Sequence, residues 1–114
     1  MEQKYIKGDI VMYDNKIHTI IDKLELNNYE LSYIEHPVHQ LELSGVPITP
    51  EILKKNGWQE GYGIYYYEDI TVVYIDNYYW IVGLKEIDDV LHIHYVHQLQ
   101  HLLFGLGLNS EMEV

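Results

Sequence analysis

The sequence predicts an α+β fold: an antiparallel β-meander with an N-terminal hairpin region, a short central helix, and a C-terminal helix packed on the sheet. Three observations carry this. Residues 62–95 are mostly Tyr, Ile, Val, Trp and Thr, in short runs split by acidic turn pairs, which is the composition of pleated strands. The stretch "ITPEILKKNGW" carries signals for both ends of a helix. In "VHQLQHLLFGLGL", Val96, Leu99, Leu102, Leu103 and Leu106 recur at helical spacing.

Taken in order, Ile10 to Tyr13 and Ile17 to Ile21 read as a hairpin about Asp14-Asn15, because both turn residues tolerate φ > 0. A second hairpin is expected about Asn27-Asn28, with "YELSYI" as its strand and His36-Pro37 as its end, since proline cannot donate to a ladder. "HQLELSGV" reads as a short strand or an irregular link. The central helix has Thr49 as N-cap, Pro50 in the first turn, Glu51 against the dipole and Gly57 just past the end. Ile52 and Leu53 are its expected core contacts. The meander then divides into strands at 62–67, 70–75, 78–84 and 90–95, with turns at Glu68-Asp69, Asp76-Asn77 and "KEIDD". Strict polar alternation is missing from its middle strands, so both faces should be partly covered. The last helix buries Leu99, Leu102, Leu103 and Leu106, and Gly105 and Gly107 weaken its end. No linker or repeat interrupts the chain, so residues 1–114 are read as a single α+β domain.

Composition narrows the function. The net charge is −11, from 18 acids against 7 bases, and every base is lysine. Arginine, the usual bidentate grip on phosphate and guanine, is absent, so direct nucleic-acid binding is not expected, nor is an anionic membrane as partner. The absence of cysteine removes disulfides, thiolate metal sites and a cysteine nucleophile. No secretory signal or membrane-length apolar run is visible, which leads to the expectation of a cytoplasmic protein.

The densest chemistry is "HIHYVHQLQH", with His92, His94, His97 and His101. Read as a strand running into a helix, it splits these histidines. His92 and His94 share the outer face of the strand, and His97 and His101 lie four apart on the helix. A zinc-protease pattern would need glutamate after the first helical histidine, and the residue there is Gln98. No metal site and no cofactor are expected. His97 and Gln98 instead suit packing or capping at the strand-to-helix junction. Phe104 and Leu108 extend the His97-His101 line into a second stripe, beside the core stripe. The serines sit on no nucleophile elbow, and the paired acids are turn residues first, so the chain is not read as an enzyme.

Three segments carry a resemblance. "YVHQLQHLLFGLGLNSEMEV" resembles the pattern "YVHQLQNLYFALTGEELE" at the C-terminus of a group of small uncharacterised proteins from Bacteroidetes bacteria and their phages and prophages. "KGDIVMYDNKIHTI" is similar to that group's opening hairpin, "GDLVYYDGKIHKV", and "VPITPEILKKNGW" to its short helix, "IPLTEEWLLKFGF". The resemblance spans most of the chain in the same order, and Gly105 and Gly107 depart from it. It implies a small phage-borne protein acting in the host cytoplasm. By analogy with other small acidic phage proteins, it implies an inhibitor of host defence of the anti-CRISPR kind.

The expected function is therefore a non-enzymatic phage-type binding protein. Its partner would be a basic, nucleic-acid-handling protein such as a CRISPR effector, reached by electrostatic steering. The expected contact residues are Glu68, Asp69, Asp76, Tyr78, Tyr79, Asp88 and Asp89 of the meander, where tyrosine anchors are ringed by acids. The alternative is a small structural or assembly protein that homo-oligomerises through the His97-His101-Phe104-Leu108 stripe and the exposed tyrosines.

Overall fold

The computed structural model describes residues 2–76, 78–82 and 91–114. The elements along the chain are β1 (Ile10–Tyr13), β2 (Lys16–Lys23), β3 (Asn28–Leu31), β4 (Val38–His39), β5 (Ser44–Gly45), α1 (Pro50–Lys55), β6 (Gln59–Gly61), β7 (Ile64–Tyr67), β8 (Ile70–Ile75), β9 (Tyr78–Val82), β10 (Leu91–Ile93) and α2 (Val96–Gly105). They form an α+β protein with two five-stranded antiparallel sheets, ordered β4-β3-β2-β1-β5 and β10-β9-β8-β7-β6. The chain divides into two compact units. One comprises the residues up to Pro47 with Tyr95–Glu111, the other Ile48–His94 with Met112–Val114.

In the first unit, Asp14 (φ 50) and Asn15 (φ 61) make the expected two-residue turn, with Tyr13 opposite Lys16. The second turn falls one residue earlier than the sequence suggests. Leu26 (φ 58) and Asn27 (φ 60) take the left-handed positions, because Asn28 is already extended and paired with His39. The third strand stops at Leu31, and "HQLELSGV" becomes a 3-10 turn (Gln40–Glu42) followed by β5. The core of this sheet is Tyr5, Val11, Ile20, Tyr29, Leu31, Val38 and Leu43.

Helix α2 packs on this N-terminal sheet, against β1. Val96, Leu99 and Leu103 are fully buried, while Leu102 and Leu106 are only partly so. Its C-terminus is closed rather than frayed. Leu108 N–H donates to Leu103 O (2.9 Å) and Gly107 N–H to Phe104 O (3.0 Å), the paired bonds of a Schellman motif. Gly107 (φ 73) takes the left-handed residue this requires.

Just before α2, Tyr95 pairs with Pro47, and its ring lies on Gly45 of β5. A methyl group on Gly45 would sit 2.5 Å from Tyr95 Cγ. Gly45→Ala is accordingly expected to destabilise the protein by about 1–3 kcal/mol in urea unfolding, and by much less in a Tyr95→Gly background, because Tyr95 Cβ also lies within 2.8 Å of the added methyl.

In the second unit, α1 begins and ends as its sequence signals. Thr49 Oγ1 accepts from Ile52 N (3.2 Å), and Trp58 N–H donates to Leu53 O (3.0 Å). Leu53 is buried and Ile52 only partly. The meander has one strand more than expected. Tyr62 and Gly63 (φ 55 and 78) form a turn instead of opening a strand, so "QEG" becomes β6 and β7 starts at Ile64. Trp58 lies on one face of the sheet, with its ring 5.3 Å from Tyr67 and stacked at 28°. Among the described residues of this unit, Ile48, Leu53, Trp58, Tyr65, Ile70, Val72, Tyr79, Ile81 and Ile93 are the buried apolar ones.

Candidate functional site

The register of the second sheet determines which side chains share a face. Tyr65, Val72 and Ile81 are cross-strand partners, as are Tyr79 and Ile93, and these five point into the core. Residues one step away point to the other side. That opposite face brings together Ile64, Val73, Trp80 and His92 in one row, with Tyr66 and Thr71 on one side and Ile75 and Tyr78 on the other.

None of these eight side chains is buried. Tyr66, Ile75 and Tyr78 are 44%, 51% and 42% exposed. An open sheet face of three aliphatic residues, four rings and one threonine is unusual on a protein surface, and apolar patches of this kind mark interaction sites.

Tyr78 is the centre of the ring cluster. Its centroid lies 5.2 Å from His92, 5.7 Å from His94 and 6.2 Å from Trp80. The indole of Trp80 is 5.1 Å from His92, and its Nε1–H donates to Ile75 O (3.2 Å). The anchors are therefore held in place, which lowers the entropy lost on binding. Glu68 and Asp69 form the exposed turn at one end of β8, and exposed Asp76 follows the other end. The six residues of β8 set these acids about 20 Å apart at ~3.3 Å per residue, as a negative rim along the ring cluster.

Other expected contact residues fall elsewhere. Tyr79 does not reach the surface. It is 5% exposed and packs between Tyr65 (6.2 Å) and Tyr74 (4.8 Å), because Tyr78 and Tyr79 are consecutive and only one can face out. Burial and the neighbouring Tyr65 push its phenol up to about 12, so it stays neutral. His97 is likewise buried, 3% exposed, so the His97-His101-Phe104 stripe is not a continuous surface. Phe104 is 68% exposed and His101 is partly exposed. Asp88 and Asp89 lie outside the described residues. Trp80, Tyr66 and the aliphatic residues between them were not among the expected contacts. They follow from the strand parity that the pairing of Ile75 with Tyr78 sets, which a run of consecutive rings does not reveal.

The YVHQLQ stretch has a structural role in the first unit. Gln98 Oε1 accepts from Tyr95 N (3.0 Å), capping α2. His97 packs edge-on against Tyr5 (5.0 Å) and stacks with Tyr95 (5.8 Å, 11°). Gln100, 3% exposed, accepts from Ile10 N (2.9 Å) and donates to Gly8 O (3.0 Å) and Ser110 O (3.1 Å). His101 Nε2 meets Asp9 Oδ2 at 2.7 Å, and Asp9 also accepts from Ile6 N (2.9 Å). A second buried amide, Gln40, accepts from Lys4 N (2.9 Å) and Tyr29 Oη (2.6 Å) and donates to Glu2 O (2.9 Å). Two glutamines thus fasten the first ten residues to the fold.

Among the described residues, no group of three or more His, Cys, Asp or Glu side chains is placed to hold a metal ion. No helix among them is long and apolar enough to cross a membrane. No protein-family model matches the chain, and neither curated proteins nor solved structures give a match.

Proposed function

We propose that this chain is a non-enzymatic phage-type binding protein that inhibits a host defence protein by covering a basic surface. The target is most naturally a nucleic-acid-handling protein such as a CRISPR effector. The open ring-bearing face of β7–β10 carries this reading. Tyrosine and tryptophan are the side chains that most often dominate interface energetics, and they do so from the centre of a patch ringed by polar groups. Tyr66, Tyr78 and Trp80 occupy that centre, with Glu68, Asp69 and Asp76 around it.

The net charge of −11 supplies the long-range term, speeding encounter with a positive partner and disfavouring anionic ones. Self-association through the same face would bring two such charges together, so a basic partner fits better than a second copy. The phage setting and the defence target rest on the resemblance of the three segments quoted above.

Producing the protein in bacteria with active CRISPR immunity is expected to restore plating of a targeted phage. Capture from those cells is expected to recover the basic effector at low salt and release it at high salt. Tyr78→Ala with Trp80→Ala should weaken capture at least about thirtyfold while leaving the fold intact, since neither ring is in the core. Unchanged plating together with no basic protein recovered at low salt sinks the proposal.

A further inference from the structure

The first unit contains a cavity of about 360 Å³ beside the turn leading into β1 and the C-terminal half of α2. Asp9, Lys7, Gly8, Gln100, Phe104 and Ser110 line it, with Ile6 at their side. Small-molecule sites run from roughly 300 to 1,000 Å³, so the volume suits a ligand of a few ring or chain atoms. We propose that this cavity binds a small organic cation, a primary ammonium with an apolar arm, with the ammonium on Asp9 and the arm against Phe104 and Ile6.

The hydrogen-bond inventory of the wall leads to this class. Its donors are largely committed. Gln100 Nε2 gives its two protons to Gly8 O and Ser110 O. Gly8 N–H donates to Ile20 O (2.8 Å), Asp9 N–H to Ile6 O (3.0 Å), and Ile6 N–H to Asp9 Oδ2. Its strongest acceptor is not fully used. Both hydrogen bonds of the Asp9 carboxylate fall on Oδ2, and Oδ1 has no hydrogen-bond partner among the described residues.

Asp9 is 2% exposed and meets His101 Nε2 and Ile6 N–H on Oδ2, which leaves Oδ1 as the oxygen a charged donor in the cavity would take. Phe104 presents its ring at 68% exposure, an apolar and cation-attracting wall. Lys7 is the cation already in the lining. It is exposed and makes no ion pair with Asp9 among the described residues. It therefore competes with a ligand cation by repulsion, which provides a test of sign.

The test is amide-resolved NMR titration of the full chain with phenethylammonium, 2-phenylethanol and phenylacetate, three probes of one shape and different charge. Shifts are expected at Gly8, Asp9, Phe104 and Ser110, with the ammonium saturating at least about tenfold below the alcohol. Lys7→Gln should tighten ammonium binding. Asp9→Asn should erase the preference for ammonium over alcohol, and Phe104→Ala should weaken both alike. The proposal is overturned if the alcohol binds as well as the ammonium, if phenylacetate binds best, or if millimolar ammonium shifts none of these amides. Because Lys7 is exposed, the Lys7→Gln arm decides the sign even if Asp9→Asn unfolds the protein. Weaker ammonium binding in that variant also overturns the proposal.

Discussion

Replacing Gln100 with leucine is expected to lower the unfolding free energy by about 3 kcal/mol, although the two side chains are close in size and leucine is the more apolar. The cause is the group left behind. β5 ends at Gly45 opposite Val11, so Ile10 lies one residue past the end of that pairing. Gln100 Oε1 then takes the Ile10 N–H at 2.9 Å in place of a strand neighbour. Ile10 is 4% exposed, and its amide is left with neither a strand nor a side-chain acceptor once the Gln100 oxygen is gone. Gly8 O and Ser110 O lose a donor too, but Gly8 is exposed and Ser110 partly so, which lets solvent replace part of that loss.

Gln98, two residues earlier, is the control. It is exposed, and its carboxamide caps Tyr95 N, so Gln98→Leu should cost about 1 kcal/mol. Urea unfolding of the two variants side by side distinguishes a buried clamp from a surface cap. Equal losses would mean that the Gln100 amide is not the fastening it is taken to be.

That contrast shows where sequence reading succeeds and where it stops. The strands, turns and helix ends were legible because their determinants are local. Asp14-Asn15 accepts left-handed geometry wherever it falls, and Thr49, Pro50 and Gly57 mark a helix without reference to anything distant. Even the packing of His97 and the capping by Gln98 followed from their place at a strand-to-helix junction.

Gln100 was not legible, because its partner Ile10 lies 90 residues away and a glutamine on a helix usually faces water. The extra strand β6 was hidden because Tyr62 is a poor advertisement for a residue at φ 55, and only Gly63 beside it hinted at the turn. In the candidate site, the choice between Tyr78 and Tyr79 depended on strand parity. A run of consecutive rings gives no polar alternation from which to read it, so the pairing of Ile75 with Tyr78 had to be seen.

Acidification is expected to weaken the fold between about pH 6.5 and pH 4, and His97→Phe to remove most of that loss. Burial holds the His97 imidazolium off, and the neighbouring His101 and Lys4 add repulsion, so its pKa falls from 6.5 to about 4. As the pH drops through that window the unfolded chain takes up a proton that the folded protein refuses, and stability falls with it. Across the full window the loss is about 3 kcal/mol, and below pH 4 it stops growing.

Asp9 acts in the opposite sense. Burial raises its carboxyl above 3.8, against the lowering by Ile6 N–H and His101, so protonating it at the acid end returns stability to the fold. The two effects oppose each other, and His97→Phe separates them because it leaves Asp9 in place. Phenylalanine preserves the edge contact with Tyr5 and the stack with Tyr95, and it carries no proton. Nδ1 of His97 has no hydrogen-bond partner among the described residues, so no such bond is lost with it. Urea midpoints measured from pH 7 to pH 4 should decline for the natural protein, and for His97→Phe should hold level or rise as Asp9 takes up its proton. Parallel declines would mean that another group, and not the buried histidine of α2, sets the acid limit of this fold.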